Sequence, residues 1–122
     1  MINIFIWIDK HIEQKITVAD IVKISGYSKR HLHNIFVQHS GKAVAEYIRL
    51  KKLQRASFFL KLTNLSVIEI SERFNFDSPQ TFSQVFKKYY AMTPMDYRKS
   101  TQWGKNIFFK DPSKKITSFM IL

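Results

Sequence analysis

A chain of 122 residues is long enough for one small domain or two very small ones, and 45% apolar content with 11 Phe supplies a packed core rather than a disordered chain. Twenty Lys and Arg against nine Asp and Glu leave a net charge of +11, which predicts a polyanionic partner, since solubility alone does not select the positive sign. With no Cys there is no disulfide framework, thiolate metal site or Cys nucleophile.

Ile4, Phe5, Trp7, Ile8 and Ile12 fall at helical spacing, which predicts a first amphipathic helix over 3–13. This stretch lacks the basic flank and small-residue cleavage site of a signal peptide. Thr17 with Asp20 marks the next helix start, because a hydroxyl accepts from a free backbone N–H and a carboxylate suits the positive helix end. The second helix covers 18–24, and Gly26 ends it with a positive φ. Ser28 caps a third helix over 29–38, and Gly41-Lys42 breaks it.

No Gly or Pro interrupts Ala43 to Leu62, which predicts one continuous linking helix of about 30 Å. Ser66 and Glu69 form a capping-box pattern before a fifth helix over 67–74. Asn75 stands where the first half has Gly26, and Asn also tolerates a left-handed turn. Ser78-Pro79 opens a sixth helix over 79–90, and Thr93-Pro94 a short seventh through Arg98. Residues 101–122, with Gly104, Pro112, Lys105, Lys110, Lys114 and Lys115, read as a loosely ordered basic tail.

The two halves repeat each other. Val18-Ala19-Asp20-Ile21 leads to Gly26-Tyr27-Ser28, Leu32 and Phe36; Val67-Ile68-Glu69-Ile70 leads to Asn75-Phe76-Asp77, Phe82 and Phe86. The offset is 49 before the turn (Val18 to Val67) and 50 after it (Phe36 to Phe86). Each copy has a left-handed turn residue, apolar residues that lock two helices, and a second helix with an outward polar face. Those are the requirements of a helix-turn-helix. The expected architecture is all-α with about seven helices: one helix-turn-helix subdomain over 3–41, a linking helix over 42–63, a second subdomain over 64–100 and the tail.

The residues Ala19-Asp20-Ile21, Gly26-Tyr27-Ser28, His31-Leu32, Tyr47-Ile48-Arg49 and Lys52-Leu53, with Phe74-Asn75-Phe76-Asp77-Ser78, Gln80-Thr81-Phe82, Phe86-Lys87, Thr93-Pro94 and Tyr97-Arg98, carry a more specific match. From residue 3 to about 100 the chain resembles the DNA-binding region of the AraC/XylS family of transcription regulators, in particular the stand-alone branch containing MarA, SoxS and Rob. The resemblance implies a cytoplasmic bacterial activator that binds an asymmetric promoter site as a monomer. It further implies contact with RNA polymerase and a role in stress and antibiotic resistance. Two units occupy nearly all the chain, which leaves no room for a small-molecule effector domain and calls for no cofactor.

Helical periodicity selects the DNA-facing residues. Arg30, His33, Asn34 and Val37 share one stripe opposite Leu32, Ile35 and Phe36, and Gln80, Ser83, Gln84 and Lys87 share another opposite Phe82, Val85 and Phe86. The two stripes match at offset 50 and fall on the family's base-reading positions. Arg30 suits guanine, Asn34, Gln80 and Gln84 suit adenine, His33 and Ser83 can read either way, and Thr81 can meet a thymine methyl or a phosphate. Phosphate contacts are expected at the helix starts Thr17-Val18 and Ser66-Val67 and from Lys29, Lys51, Lys52, Lys87 and Lys88. MarA-like relatives favour Trp at Arg30, Arg at Asn34 and Gln84, and Gln at Pro79, so their target sequence does not transfer to this chain.

Other classes fit less well. His31 and His33 diverge on one helix, and no phosphate loop, metalloprotease motif or nucleophile elbow is present, which argues against an enzyme or metal site. Basic charge alone would suit a sequence-indifferent architectural DNA binder, but the polar stripes are equipped for base edges. The apolar end Phe119-Met120-Ile121-Leu122 lacks the long amphipathic helix of a membrane-surface module. Activation and repression are not distinguished by the residues themselves.

Overall fold

Helix starts in this chain fall where a short polar side chain can accept from a free backbone N–H. The structure is a computed structural model that describes residues 3–103, and within them seven helices and no strand form: α1 Ile4–Lys10, α2 Val18–Ser25, α3 Lys29–Ser40, α4 Val44–Leu62, α5 Val67–Arg73, α6 Pro79–Tyr90 and α7 Pro94–Lys99. Asn3, Thr17, Ser28, Ser66, Ser78 and Thr93 cap α1, α2, α3, α5, α6 and α7 in turn. From residue 104 onward the expected basic tail lies outside the described residues.

The differences from the sequence reading are local. The first helix ends at Lys10 rather than 13, where the His11 ring stacks on Trp7 at 4.2 Å and its Nδ1 lies 2.7 Å from the Trp7 carbonyl. The reciprocal capping box belongs to α2, where Thr17 Oγ1 accepts from the Asp20 N–H at 3.1 Å and Asp20 Oδ2 accepts from the Thr17 N–H at 2.9 Å. The Thr17 N–H first, and the Thr17 hydroxyl after it, hold the Asp20 carboxyl below its usual value. At α5 only the Ser66 half of the expected box forms, 3.0 Å from the Glu69 N–H, and the Glu69 side chain stays exposed.

Two compact units emerge, one from residues 3–12 and 16–51, the other from 13–15 and 52–103. The boundary falls inside the continuous α4, between Lys51 and Lys52, rather than at the ends of a separate linking helix. The reason is burial. Val44, Tyr47, Ile48 and Leu50 are core residues of the first unit; Leu53, Ala56 and Leu60 are core residues of the second.

In the first unit α2 and α3 are joined through Gly26, whose φ is 75°. A Cβ at Gly26 would meet nothing within 4 Å, so the backbone angle and not space requires glycine. The core of this unit is a ring triad. Phe36 of α3 lies 4.8 Å from Phe5 and 5.4 Å from Tyr47, and Phe5 lies 5.4 Å from Tyr47. Such tilted and edge-on pairs are the favoured aromatic geometries.

The second unit repeats this plan with other residues. Asn75 takes the left-handed turn at φ 66°, and its amide also donates to the Glu13 carbonyl at 2.9 Å. Phe86 of α6 lies 4.3 Å from Tyr90 and 5.4 Å from Tyr97. Tyr97 is the offset-50 equivalent of Tyr47, so α7 repeats the role of the first turn of α4. Arg98 fastens α7 by donating from Nε to the Leu60 carbonyl at 2.8 Å and from Nη2 to the Leu65 carbonyl. Lys61 adds bonds to the Ser100 carbonyl and hydroxyl and lies 4.7 Å from the centre of the Tyr97 ring.

The repeat is imperfect at the end of each second helix. Gly41 caps α3 at φ 74°, but Ala91 caps α6 at φ 64°, where a Cβ is strained. Ala91→Gly is expected to stabilise the protein by about 1 kcal/mol and Gly41→Ala to destabilise it by a similar amount, read by urea denaturation. A second strain point is the Tyr90 hydroxyl, which is buried with no hydrogen-bond partner. Burial pushes this phenol up to about 12; the nearby Ser57 hydroxyl, which donates to the Gln54 carbonyl, acts in the opposite sense without reversing it. Tyr90→Phe is expected to raise stability by about 1 kcal/mol at neutral pH. It should also abolish a loss of stability between about pH 10 and 12, where the unfolded phenol ionises before the folded one.

Candidate nucleic-acid interface

Both second helices bury one stripe and expose the opposite one. Leu32 and Phe36 of α3, like Phe82 and Phe86 of α6, are fully buried, and Ile35 and Val85 are half-buried beside them. On the other side of α3, Arg30, His33, Asn34 and Val37 are exposed. On α6, Gln80, Gln84, Lys87 and Lys88 are exposed and Ser83 is half-buried. Neither helix contains an acidic residue, although the chain has nine Asp and Glu. Each unit therefore offers a short helical face of amide, hydroxyl and cationic groups with no carboxylate on that helix to repel phosphate.

Comparisons with known proteins identify the family of the fold that carries these two helices. A family model described as a helix-turn-helix domain matches residues 21–100. The chain is 35% identical over 110 residues to the HTH-type transcriptional activator AarP of Providencia stuartii, covering 90% of this chain and 82% of that protein. The chain belongs to the AraC-type helix-turn-helix family of transcription regulators. It is also 37% identical over 102 residues to the right origin-binding protein of Escherichia coli (strain K12), which covers 84% of this chain. The chain spans only 35% of the length of that protein. A solved transcriptional regulator from Chromobacterium violaceum, described as AraC-type DNA-binding, superposes with a TM-score of 0.77 at 27% identity, covering 83% of this chain and 91% of that one.

Within the AraC-type fold the expected base-facing side chains occupy two environments. Arg30, His33, Asn34, Gln80 and Gln84 are open to solvent. Thr81 is half-buried, and its hydroxyl lies 3.0 Å from the Ser78 hydroxyl that caps α6, so its oxygen already has a role in the fold. Among the expected phosphate-facing groups, Lys29, Lys87 and Lys88 are exposed. Thr17 and Ser66 are exposed, and Val18 and Val67 are half-buried. The Thr17 N–H is taken by Asp20, which leaves the first-turn amide of Val18 for an anion at that end.

Lys51 and Lys52 are corrections to the sequence reading. Both are buried, at 5% and 8% exposure, and both have partners inside the AraC-type fold. Lys51 pairs with Asp9 at 3.4 Å, and Lys52 donates to the Gln14 carbonyl at 2.8 Å. A lysine on a long amphipathic helix has the same local sequence whether it faces solvent or a neighbouring segment, so periodicity could not separate the cases. The bonds of Lys61 and Arg98 to backbone carbonyls were also invisible in the sequence. The family signature Tyr97-Arg98 was the one signal that α7 carries a conspicuous role.

Among the described residues no helix is long and apolar enough to cross a membrane, and no cluster of three or more His, Asp or Glu side chains could hold a metal ion.

Burial pushes the Lys52 ammonium down to about 8, although the Glu13 carboxylate acts in the opposite sense. Between about pH 8 and 10.5 the unfolded chain keeps a proton that the folded chain has released, so this group makes stability rise with pH. Chemical denaturation at pH 8 and pH 10 is expected to show that rise in the parent chain and a smaller one in Lys52→Met.

Proposed function

We propose that the chain binds promoter DNA, placing α3 and α6 in the major groove to read base edges. The observation that carries this reading is the pair of exposed polar stripes at offset 50, one backed by fully buried Leu32 and Phe36 and the other by fully buried Phe82 and Phe86. Arg30, His33 and Asn34 read one segment, and Gln80, Ser83 and Gln84 read another. Thr81 lines the α6 segment. Lys29, Lys87 and Lys88 hold phosphates, together with the helix starts at Val18 and Ser66-Val67. A linear stretch of DNA offers these two non-identical faces a site without two-fold symmetry, which one chain is sufficient to occupy.

The regulatory sense is activation through RNA polymerase in the bacterial cytoplasm. The match to a protein named as a transcriptional activator supports it, and the AraC/XylS resemblance supports a stress or antibiotic-resistance setting. In transcription with purified polymerase, a promoter carrying the selected site is expected to be stimulated by added protein. Repression of that promoter would reverse the assignment.

Binding to a site selected from random duplexes is expected to exceed binding to unrelated DNA by at least about 1,000-fold at physiological salt. Arg30→Ala is expected to cost about 1–3 kcal/mol at that site and to relax one base position. A loss that is uniform over all sequences would make Arg30 a phosphate contact. Equal affinity for all duplexes would support the architectural alternative.

A further inference from the structure

The two reading helices carry their positive charge at opposite ends. At offset 50, Lys29 and Arg30 of α3 are replaced in α6 by Pro79 and Gln80, His31 and His33 by Thr81 and Ser83, and Asn34 by Gln84. Further along, Val37 and Gln38 are replaced by Lys87 and Lys88. Both helices therefore carry two formal positive charges, but α3 carries them at its N-terminal end and α6 in its last turn. The residue just before the cap changes in the same direction, from half-buried Tyr27 to exposed Asp77.

The N-terminal residues of a recognition helix meet the base edges. A guanine edge presents two acceptors, which a cationic guanidinium satisfies; an adenine edge presents one donor and one acceptor, which a neutral amide satisfies. Gln80 and Gln84 are both exposed and four residues apart on one face of α6, and no cation lies among its first eight residues.

We propose that the two halves of the DNA site differ in composition: the half under α3 contains a guanine read by Arg30, and the half under α6 is A·T-rich, its adenines read by Gln80 and Gln84. Lys87 and Lys88, at the far end of α6, hold backbone phosphates and contribute no base preference. This assignment rests on the DNA-binding reading above and adds the chemical identity of each half-site.

The test is selection of bound duplexes from a random pool by the whole chain and by Arg30→Ala, Gln80→Ala, Gln84→Ala and Gln80→Arg. All these substitutions fall on exposed positions, and circular dichroism verifies that each variant keeps its helices. A base position that loses its preference in Arg30→Ala belongs to α3, and positions that lose theirs in the Gln variants belong to α6. The expected result is a G·C preference at the first and A·T preferences at the second, each weakened roughly 5- to 150-fold in the matching variant. Gln80→Arg, which transplants the chemistry of Arg30 onto α6, is expected to convert one A·T preference into G·C. An enriched site whose α6 half is G·C-rich, or whose A·T positions ignore both glutamines, overturns the inference while leaving DNA recognition intact. A pool with no enriched sequence overturns the DNA-binding reading itself.

Discussion

Each unit depends on one buried ring contact. Phe36 and Tyr47 sit 5.4 Å apart with their rings at 79°; Phe86 and Tyr97 sit 5.4 Å apart at 68°. Both pairs occur at the same places in the repeat, and all four rings are almost fully excluded from solvent. Removing a buried Phe side chain from such a core costs about 3–5 kcal/mol, a large share of the stability of a small domain. The contact also fixes helix rotation. A helix has about 3.6 residues per turn, so a Phe anchored against the following helix's Tyr leaves the residues on the opposite side facing water. The exposure of Arg30, Asn34, Gln80 and Gln84 follows from where Phe36 and Phe86 are held.

The two copies reach the same geometry by different local means. A left-handed residue is required between the first and second helix of each unit, and it is Gly26 in one and Asn75 in the other. The Asn side chain gains a second role by donating to the Glu13 carbonyl, in a unit where Arg73 also pairs with the Glu13 carboxylate at 3.1 Å. That pair is half exposed, so it contributes little by itself. Lys52 and Asn75 hold the backbone of the same segment, at the Gln14 and Glu13 carbonyls, while Arg73 holds the Glu13 side chain. Buried or part-buried carbonyls need such donors, because an unpaired one costs about as much as a lost hydrogen bond.

Basic residues in this chain serve two ends. Lys51, Lys52, Lys61 and Arg98 have partners within the fold: a carboxylate for the first and backbone carbonyls for the others. Lys29, Arg30, Lys87 and Lys88 are exposed on the two second helices. Net charge therefore overstates the electrostatic surface available to DNA, since part of it is used in packing. The distribution on the reading helices carries more information than the total.

The sequence by itself determined the helix starts, the two left-handed turns at Gly26 and Asn75, and which face of α3 and α6 is apolar. These features depend on neighbours within a few residues, where capping chemistry, backbone sterics and helical periodicity act. It also determined the repeat and the family, because both are patterns of residue types at fixed spacing. Only the tertiary structure decided that Lys51 and Lys52 are buried, that Arg98 and Lys61 fasten the last helix, that the Thr81 hydroxyl has a partner in the cap, and that Ala91 adopts a positive φ. Apart from Thr81, whose partner Ser78 is only three residues away, each of those outcomes depends on a group distant in sequence or on a backbone angle the side chain does not favour. A lysine, threonine or alanine reads the same in the chain whether or not the fold brings it that partner or that strain.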